Sequence, residues 1–210
     1  MHNAIIMCAG QAKRMGEELK QLTVLNGEHL IDRTIRQCKP LFDKLFIVPR
    51  VGVHDFHDRG AEQIVLSSHP ETKAETILRS TYGFGNVRTT FLLGDVVWSS
   101  WALQQVVKPA RSLVFFGHSC PNVFTGKKWR ELFALSVASC EYSNLLKACE
   151  LEKSPMLWDL FEMISGKRRE QIASSNLFCE IEDQMVDDIN TQEEAERMQA
   201  LLLEHEKEPI

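Results

Sequence analysis

Several things are scarce in this 210-residue chain, and each scarcity narrows the reading. No apolar run approaches the roughly 20 residues that a membrane-spanning helix needs, so no membrane association is expected. Positive charge is not in surplus: 24 Lys and Arg stand against 29 Asp and Glu, a net charge of −5. A broad nucleic-acid footprint would need the opposite balance, so no nucleic-acid partner is expected. The six cysteines (Cys8, Cys38, Cys120, Cys140, Cys149 and Cys179) form no CxxC pair and no zinc-ligand spacing. Several lie inside apolar runs, which suits buried free thiols in a reducing compartment. The N-terminus has neither the charged start nor the long apolar core of a signal peptide, and a cytoplasmic location is the expectation. Repeats, low-complexity tracts and linkers are missing too, so one domain over residues 1–210 is expected.

What is present is alternation. Strand candidates are Ala4–Cys8, Lys44–Val48, Gln63–Leu66, Thr89–Leu93, Ser112–Phe116, Leu132–Val137 and Leu177–Ile181. Helical spacing covers Leu30–Cys38, Lys73–Tyr82, Ser100–Val107, Glu141–Leu151, Pro155–Ile164 and Gln192–Glu204. Strands alternating with helices predict an α/β fold: a mostly parallel, Rossmann-like sheet with helices on both faces. Ligands of such sheets bind outside the carboxyl ends of the strands, which directs attention to the loops after Cys8, Leu93 and Ile181. The segment CPNVFTGKKW (Cys120–Trp129) carries Pro, Asn and Gly and reads as a hairpin or an exposed loop.

The first of those loops, AGQAKRMGEELKQL, matches neither familiar glycine motif. A P-loop would need a glycine where Met15 stands, and Gly16 is followed by Glu17; the dinucleotide fingerprint would need glycines at Ala12 and Met15. Gly10 just past a strand still lets backbone N–H groups approach a ligand, and Arg14 and Lys20 could then neutralise phosphate oxygens. A solvated loop with scattered charges explains the same residues equally well.

Two further stretches carry acids at strand ends. TTFLLGDVVWS ends its apolar run on Gly94-Asp95, where the carboxylate suits either a Mg²⁺ ligand or a turn capping the next helix. VDDINTQEEAERM contains Thr191 and Glu194, the spacing of a capping box for the last helix.

AIIMCAGQAKRMGEELKQL followed by LNGEHLIDRTI resembles the signature of nucleotidyltransferases with a glycosyltransferase-A-like fold. Their pattern is a strand, A-G-x-x-x-R-M, P-K-x-L, then G-x-x-L-I. It falls here on Ala9, Gly10, Arg14, Met15, Lys20, Leu22, Gly27, Leu30 and Ile31, with Ala12 and Leu19 departing from a glycine and a proline that many members carry. The resemblance implies that the backbone of Ala9, Gly10 and Gln11 faces a nucleotide, that Arg14 and Lys20 carry catalysis, and that Thr76 contacts the base or ribose. It implies Mg²⁺ held by Asp95 and by Asn190, the residue matching the family's D-I-D-T segment, with Asp188 as the alternative ligand.

The activity so implied is transfer of NMP from an NTP to a small phosphorylated or phosphonate acceptor, with pyrophosphate released. A glycosyltransferase of the same fold is an alternative, disfavoured because GDVVWS has one acid and no D-x-D pair. A non-catalytic nucleotide-binding relative is another. Remaining signals read as structural: His54 and His57 as a surface pair, His118 beside Cys120 without a thiol site, GKRRE at Gly166–Glu170 as a helix end, Trp98, Trp101 and Trp158 as core, and Trp129 as a residue of an exposed region.

Overall fold

The computed structural model describes residues 1–10, 19–52, 56–81, 83–122, 125–128, 130–152, 154 and 156–205. In chain order the elements are β1 (His2–Cys8), β2 (Val24–Leu25), β3 (Glu28–His29), α1 (Leu30–Cys38), β4 (Lys44–Pro49), β5 (Glu62–Gln63), α2 (Lys73–Ser80), β6 (Arg88–Leu93), β7 (Val96–Val97) and α3 (Ser100–Val107). There follow β8 (Leu113–His118), β9 (Glu131–Val137), α4 (Tyr142–Leu151), α5 (Leu157–Ser165), β10 (Phe178–Glu180), β11 (Asp187–Asp188) and α6 (Gln192–His205).

β1 is buried at every position from Asn3 to Cys8, the mark of a central strand covered on both faces. It lies parallel to β4 on one side and β6 on the other, and β4 in turn lies parallel to β5. Beyond β6 the seven-stranded order β10-β8-β9-β6-β1-β4-β5 continues through β9, which runs antiparallel to both neighbours. The fold is therefore α/β with a mostly parallel sheet, as the alternation predicts. The reversed direction of β9 is not visible in the sequence, because a strand buried on both faces looks alike in either direction.

Helix patterning follows from spacing and caps. α1 buries Leu30, Ile31, Thr34, Ile35 and Cys38, a stripe at helical intervals. The side chains of Thr72 and Ser99 accept from Glu75 N and Ala102 N and so start α2 and α3. α5 stops at Gly166 in the left-handed region (φ 65°), and Arg169 then stacks 4.5 Å over the ring of Trp158. Trp98 and Trp158 are core, but Trp101 remains exposed on α3.

One expected strand is shorter than its apolar spacing suggests. Of the expected strand Gln63–Leu66 only Gln63 pairs as a strand, in Glu62–Gln63, with one further bond from Ile64 N to Ile47 O. The pairs β2–β3 and β7–β11 are two residues long on each strand, too short to show any periodicity. In the Cys120–Trp129 segment an antiparallel bridge joins Asn122 to Lys127, and Asn122 and Thr125 are buried, which fits the hairpin alternative. Cys8, Cys38 and Cys149 are buried free thiols, whereas Cys120 and Cys140 are exposed. No helix among the described residues is long and apolar enough to cross a membrane.

His2, at the start of β1, packs edge-on to Phe42 and shares a 2.7 Å hydrogen bond between Nε2 and Thr90 Oγ1. Burial, aided by the Arg88 guanidinium, lowers its pKa from 6.5 to about 4. The unfolded chain therefore takes up a proton that the folded chain refuses, and stability present above pH 6.5 is lost as pH falls toward about 4. The melting temperature of the wild type should fall more steeply over this window than that of His2→Gln. Parallel curves for the two proteins would contradict the assignment.

Candidate active site

The site begins where β6 meets the end of β1. Gly94 N donates to Met7 O at 3.0 Å, and a Cβ on Gly94 would lie 2.5 Å from Cys8 Sγ and 2.9 Å from Met7 O. Only a glycine fits so close an approach, and the turn it makes presents Asp95 at the carboxyl edge of the sheet. β7 then pairs with β11 in the register Asp187↔Val97 and Asp188↔Val96, and Ile189 N donates to Asp95 O at 2.8 Å. This short ladder brings Asn190 beside Asp95.

Lys20 completes the group. It opens a single 3₁₀ turn (Lys20–Leu22), and its Nζ lies 3.1 Å from Asp95 Oδ2 and 2.5 Å from Asn190 Oδ1. Lys20, Asp95 and Asn190, widely separated in sequence, meet at one point. Behind it lies a second layer, in which Lys127 and the connections among the residues are not visible in the sequence. Asn190 Nδ2 donates to Asp188 Oδ2, and Asp188 Oδ1 accepts from Lys127 Nζ at 2.9 Å. The same ammonium pairs with Glu194 Oε1 at 2.9 Å. Glu194 N donates to Thr191 Oγ1, as a capping box would have it, but its carboxylate accepts from Asn190 N one residue earlier.

Burial governs the electrostatics of this layer. It pushes the Asp188 carboxyl up, yet Lys127, the Asn190 amide and Lys20 outweigh it and hold the group below its ordinary value. Lys127 is likewise lowered by burial, but Asp188 and Glu194 raise it overall. Burial lifts the Asp187 carboxyl well above its ordinary value, against the hydrogen bond from Thr125 Oγ1 and the pull of Lys127. Nothing in GKKW distinguishes Lys127 from any loop lysine; its role comes from where the hairpin lands.

In front of the group a cleft of about 510 Å³ is bordered by Ala9, Gly10, Gln21, Lys73, Thr76 and Asp95. Thr76 is buried on the inner side of α2 and donates to Thr72 O, so it is not a helix-surface residue. Gln21 and Lys73 line the cleft without having been singled out. Gly10 does not adopt positive φ, and nothing lies within 4 Å of a Cβ built on it. Its contribution is open space on the cleft side. Gln11 and Arg14, with Ala12 and Met15, lie outside the described residues, as do His54 and Trp129. His118 is a core residue, edge-on to Phe133 with Nε2 3.3 Å from Asp183 O.

The donor set fits a hard divalent cation. A carboxylate oxygen and an amide oxygen converge on one positively charged atom, the Lys20 ammonium. Among the described residues no group of three or more His, Cys, Asp or Glu could hold a metal. Mg²⁺ suits such a sparse site, because it usually keeps water and takes substrate phosphates as ligands.

A family model described as MobA-like NTP transferase domain matches residues 4–154. No curated protein sequence gives a match. Among solved structures, a nucleotidyl transferase from Methanothermobacter superposes with a TM-score of 0.74 at 15% identity, over 98% of this chain and 99% of that one. The inositol-1-phosphate CTP transferase from T. maritima does so with 0.63 at 14% identity, over 94% and 95%. At such identities the likeness establishes the fold.

Gly94→Ala tests the construction of the site. Its methyl group would press on backbone, and the melting temperature should fall by roughly 3–10 °C. An unchanged melting temperature would mean that the strand ends are not packed as described.

Proposed function

The chain belongs to the MobA-like NTP transferase domain family and is a nucleotidyltransferase; from that premise we propose that it transfers NMP from an NTP to a small phosphorylated or phosphonate acceptor in a Mg²⁺-dependent reaction that releases pyrophosphate. The observation that carries this reading is the convergence of Lys20, Asp95 and Asn190 at the mouth of the cleft. A structural neighbour named for CTP transfer to inositol-1-phosphate supports an acceptor of that chemical class.

In this reaction an acceptor phosphate oxygen bonds to the α-phosphorus, and the bond from that phosphorus to the oxygen bridging the β-phosphate breaks. The attacking oxygen is already anionic, so no strong general base is required. Catalysis is positioning and charge neutralisation. Lys20, with Arg14, neutralises charge gathering on the α-phosphate and the leaving pyrophosphate. The open face at Ala9 and Gly10 admits the nucleotide against the backbone, Gln11 is assigned to the same nucleotide contact, and Thr76 borders the base or ribose. Asp95 and Asn190 hold Mg²⁺, which when bound supplies divalent charge against the phosphate oxygens. Asp188, the alternative ligand, has one carboxylate oxygen engaged by Lys127 and the other by Asn190.

Pyrophosphate release should appear when the protein is mixed with Mg²⁺, one of the four NTPs and a suitable member of a sugar-phosphate and polyol-phosphate panel. Lys20→Ala and Asp95→Asn should each lower kcat about 10²- to 10³-fold. Asn190→Leu, which removes the oxygen, should do the same. Release with no pair in the panel, or wild-type turnover in Lys20→Ala, would overturn the proposal.

A further inference from the structure

Asn190 is the one member of the converging group that has two chemically different ends. A half-turn of its amide exchanges the oxygen for an NH₂ group of nearly the same size. In one orientation it accepts from Lys20; in the other it would point two N–H donors at an ammonium. A carboxylate at this position would face no such choice. Something must therefore set the direction of the amide, and the neighbouring hydrogen bonds show what does. Asp188 Oδ2 can only accept, and it accepts from Asn190 Nδ2. Reversed, the amide would set its oxygen against that carboxylate. Asp188 is in turn fixed by Lys127 Nζ at 2.9 Å from its other oxygen, and Lys127 by Glu194.

We propose that Asp188, held by Lys127, is a positioning residue that fixes the Asn190 amide with its oxygen toward Lys20 and Asp95, so that a neutral side chain serves as a directional oxygen donor in the site. The proposal rests on the reading that the site binds a divalent cation and a nucleotide. Both ends of the unit are donors and both bonds at residue 188 are accepted there: Lys127 donates to residue 188, residue 190 donates to residue 188, and Lys20 donates to residue 190. Exchanging the two residues preserves the outer contacts. With Asn at 188 and Asp at 190, the amide oxygen would accept from Lys127, its NH₂ would donate to the carboxylate, and that carboxylate would face Lys20.

The single changes break the pattern in different ways. Asp188→Asn puts an NH₂ against the Asn190 NH₂, or turns one amide away from its cation. Asn190→Asp puts two carboxylates in contact, so the additional charge at 190 does not simply strengthen the site. Two other roles for Asp188 predict different outcomes. If it were itself the cation's ligand, Asp188→Asn would be damaging and the exchange would not repair it. If it only anchored Lys127, melting would change and cation affinity would not.

The experiment compares wild type, D188N, N190D and D188N/N190D by two readouts that need no turnover: Mn²⁺ affinity by electron paramagnetic resonance, and melting temperature in EDTA. Each single variant should weaken Mn²⁺ binding about tenfold or more, and the double variant should return to within about threefold of wild type. Melting in EDTA should show the same non-additive recovery. A single variant that fails to fold, followed by a double variant that folds, also supports the proposal. Additive losses in the double variant, or wild-type Mn²⁺ affinity in D188N, would overturn it. If the exchange restores both readouts while no NTP and acceptor react, the nucleotidyl-transfer reading of the site fails and the positioning role stands.

Discussion

The hydrogen bond from Gly94 N to Met7 O closes the gap between the ends of β6 and β1, and the rest of the site hangs from that contact. With a side chain at 94 the strand ends would separate, because the space is filled by Cys8 Sγ and the Met7 carbonyl. With glycine there, the chain leaves β6 in a turn that exposes Asp95 and immediately enters β7. β7 recruits β11 from the far end of the chain, and the register of that two-residue ladder decides that Asn190, not a neighbour, stands beside Asp95. The central parallel strands supply the platform; one glycine sets what is mounted on its edge.

Charge alternates across the site. Lys20 pairs with Asp95, Asn190 separates it from Asp188, and Lys127 lies between Asp188 and Glu194. In such partly buried surroundings a carboxylate without a partner is costly, and burial accordingly pushes Asp187 above the usual carboxylate range. A neutral amide at 190 keeps a further negative charge away from Asp188 while still offering oxygen to a cation. The hairpin bearing Lys127 and Thr125 thereby becomes part of the site, fixed from the other side by the bond from Arg197 Nη1 to Thr125 O.

Much of this was legible before the structure, and the unevenness has physical causes. α1 and α3 begin and end where their spacing places them, and β1 announces itself by the apolar run Ala4–Cys8. Gly94-Asp95 reads as an acid at a strand end, whereas Asn190 could be placed only through the resemblance to the family's D-I-D-T segment. Lys127 could not: a lysine in a Gly-containing loop looks solvated until the hairpin folds back onto β11. Asp188 could be named but not given its role, since which oxygen meets which donor is decided by tertiary contacts.

The most direct measurement of the central claim is a crystal structure with Mn²⁺ and a non-hydrolysable NTP, read by the anomalous signal of the metal. The account predicts a single strong peak between the Asp95 carboxylate and Asn190 Oδ1, in the place where the Lys20 ammonium now lies, with that ammonium moved onto the phosphates. A peak away from both oxygens, or Lys20 still bridging them with the nucleotide bound, would contradict it.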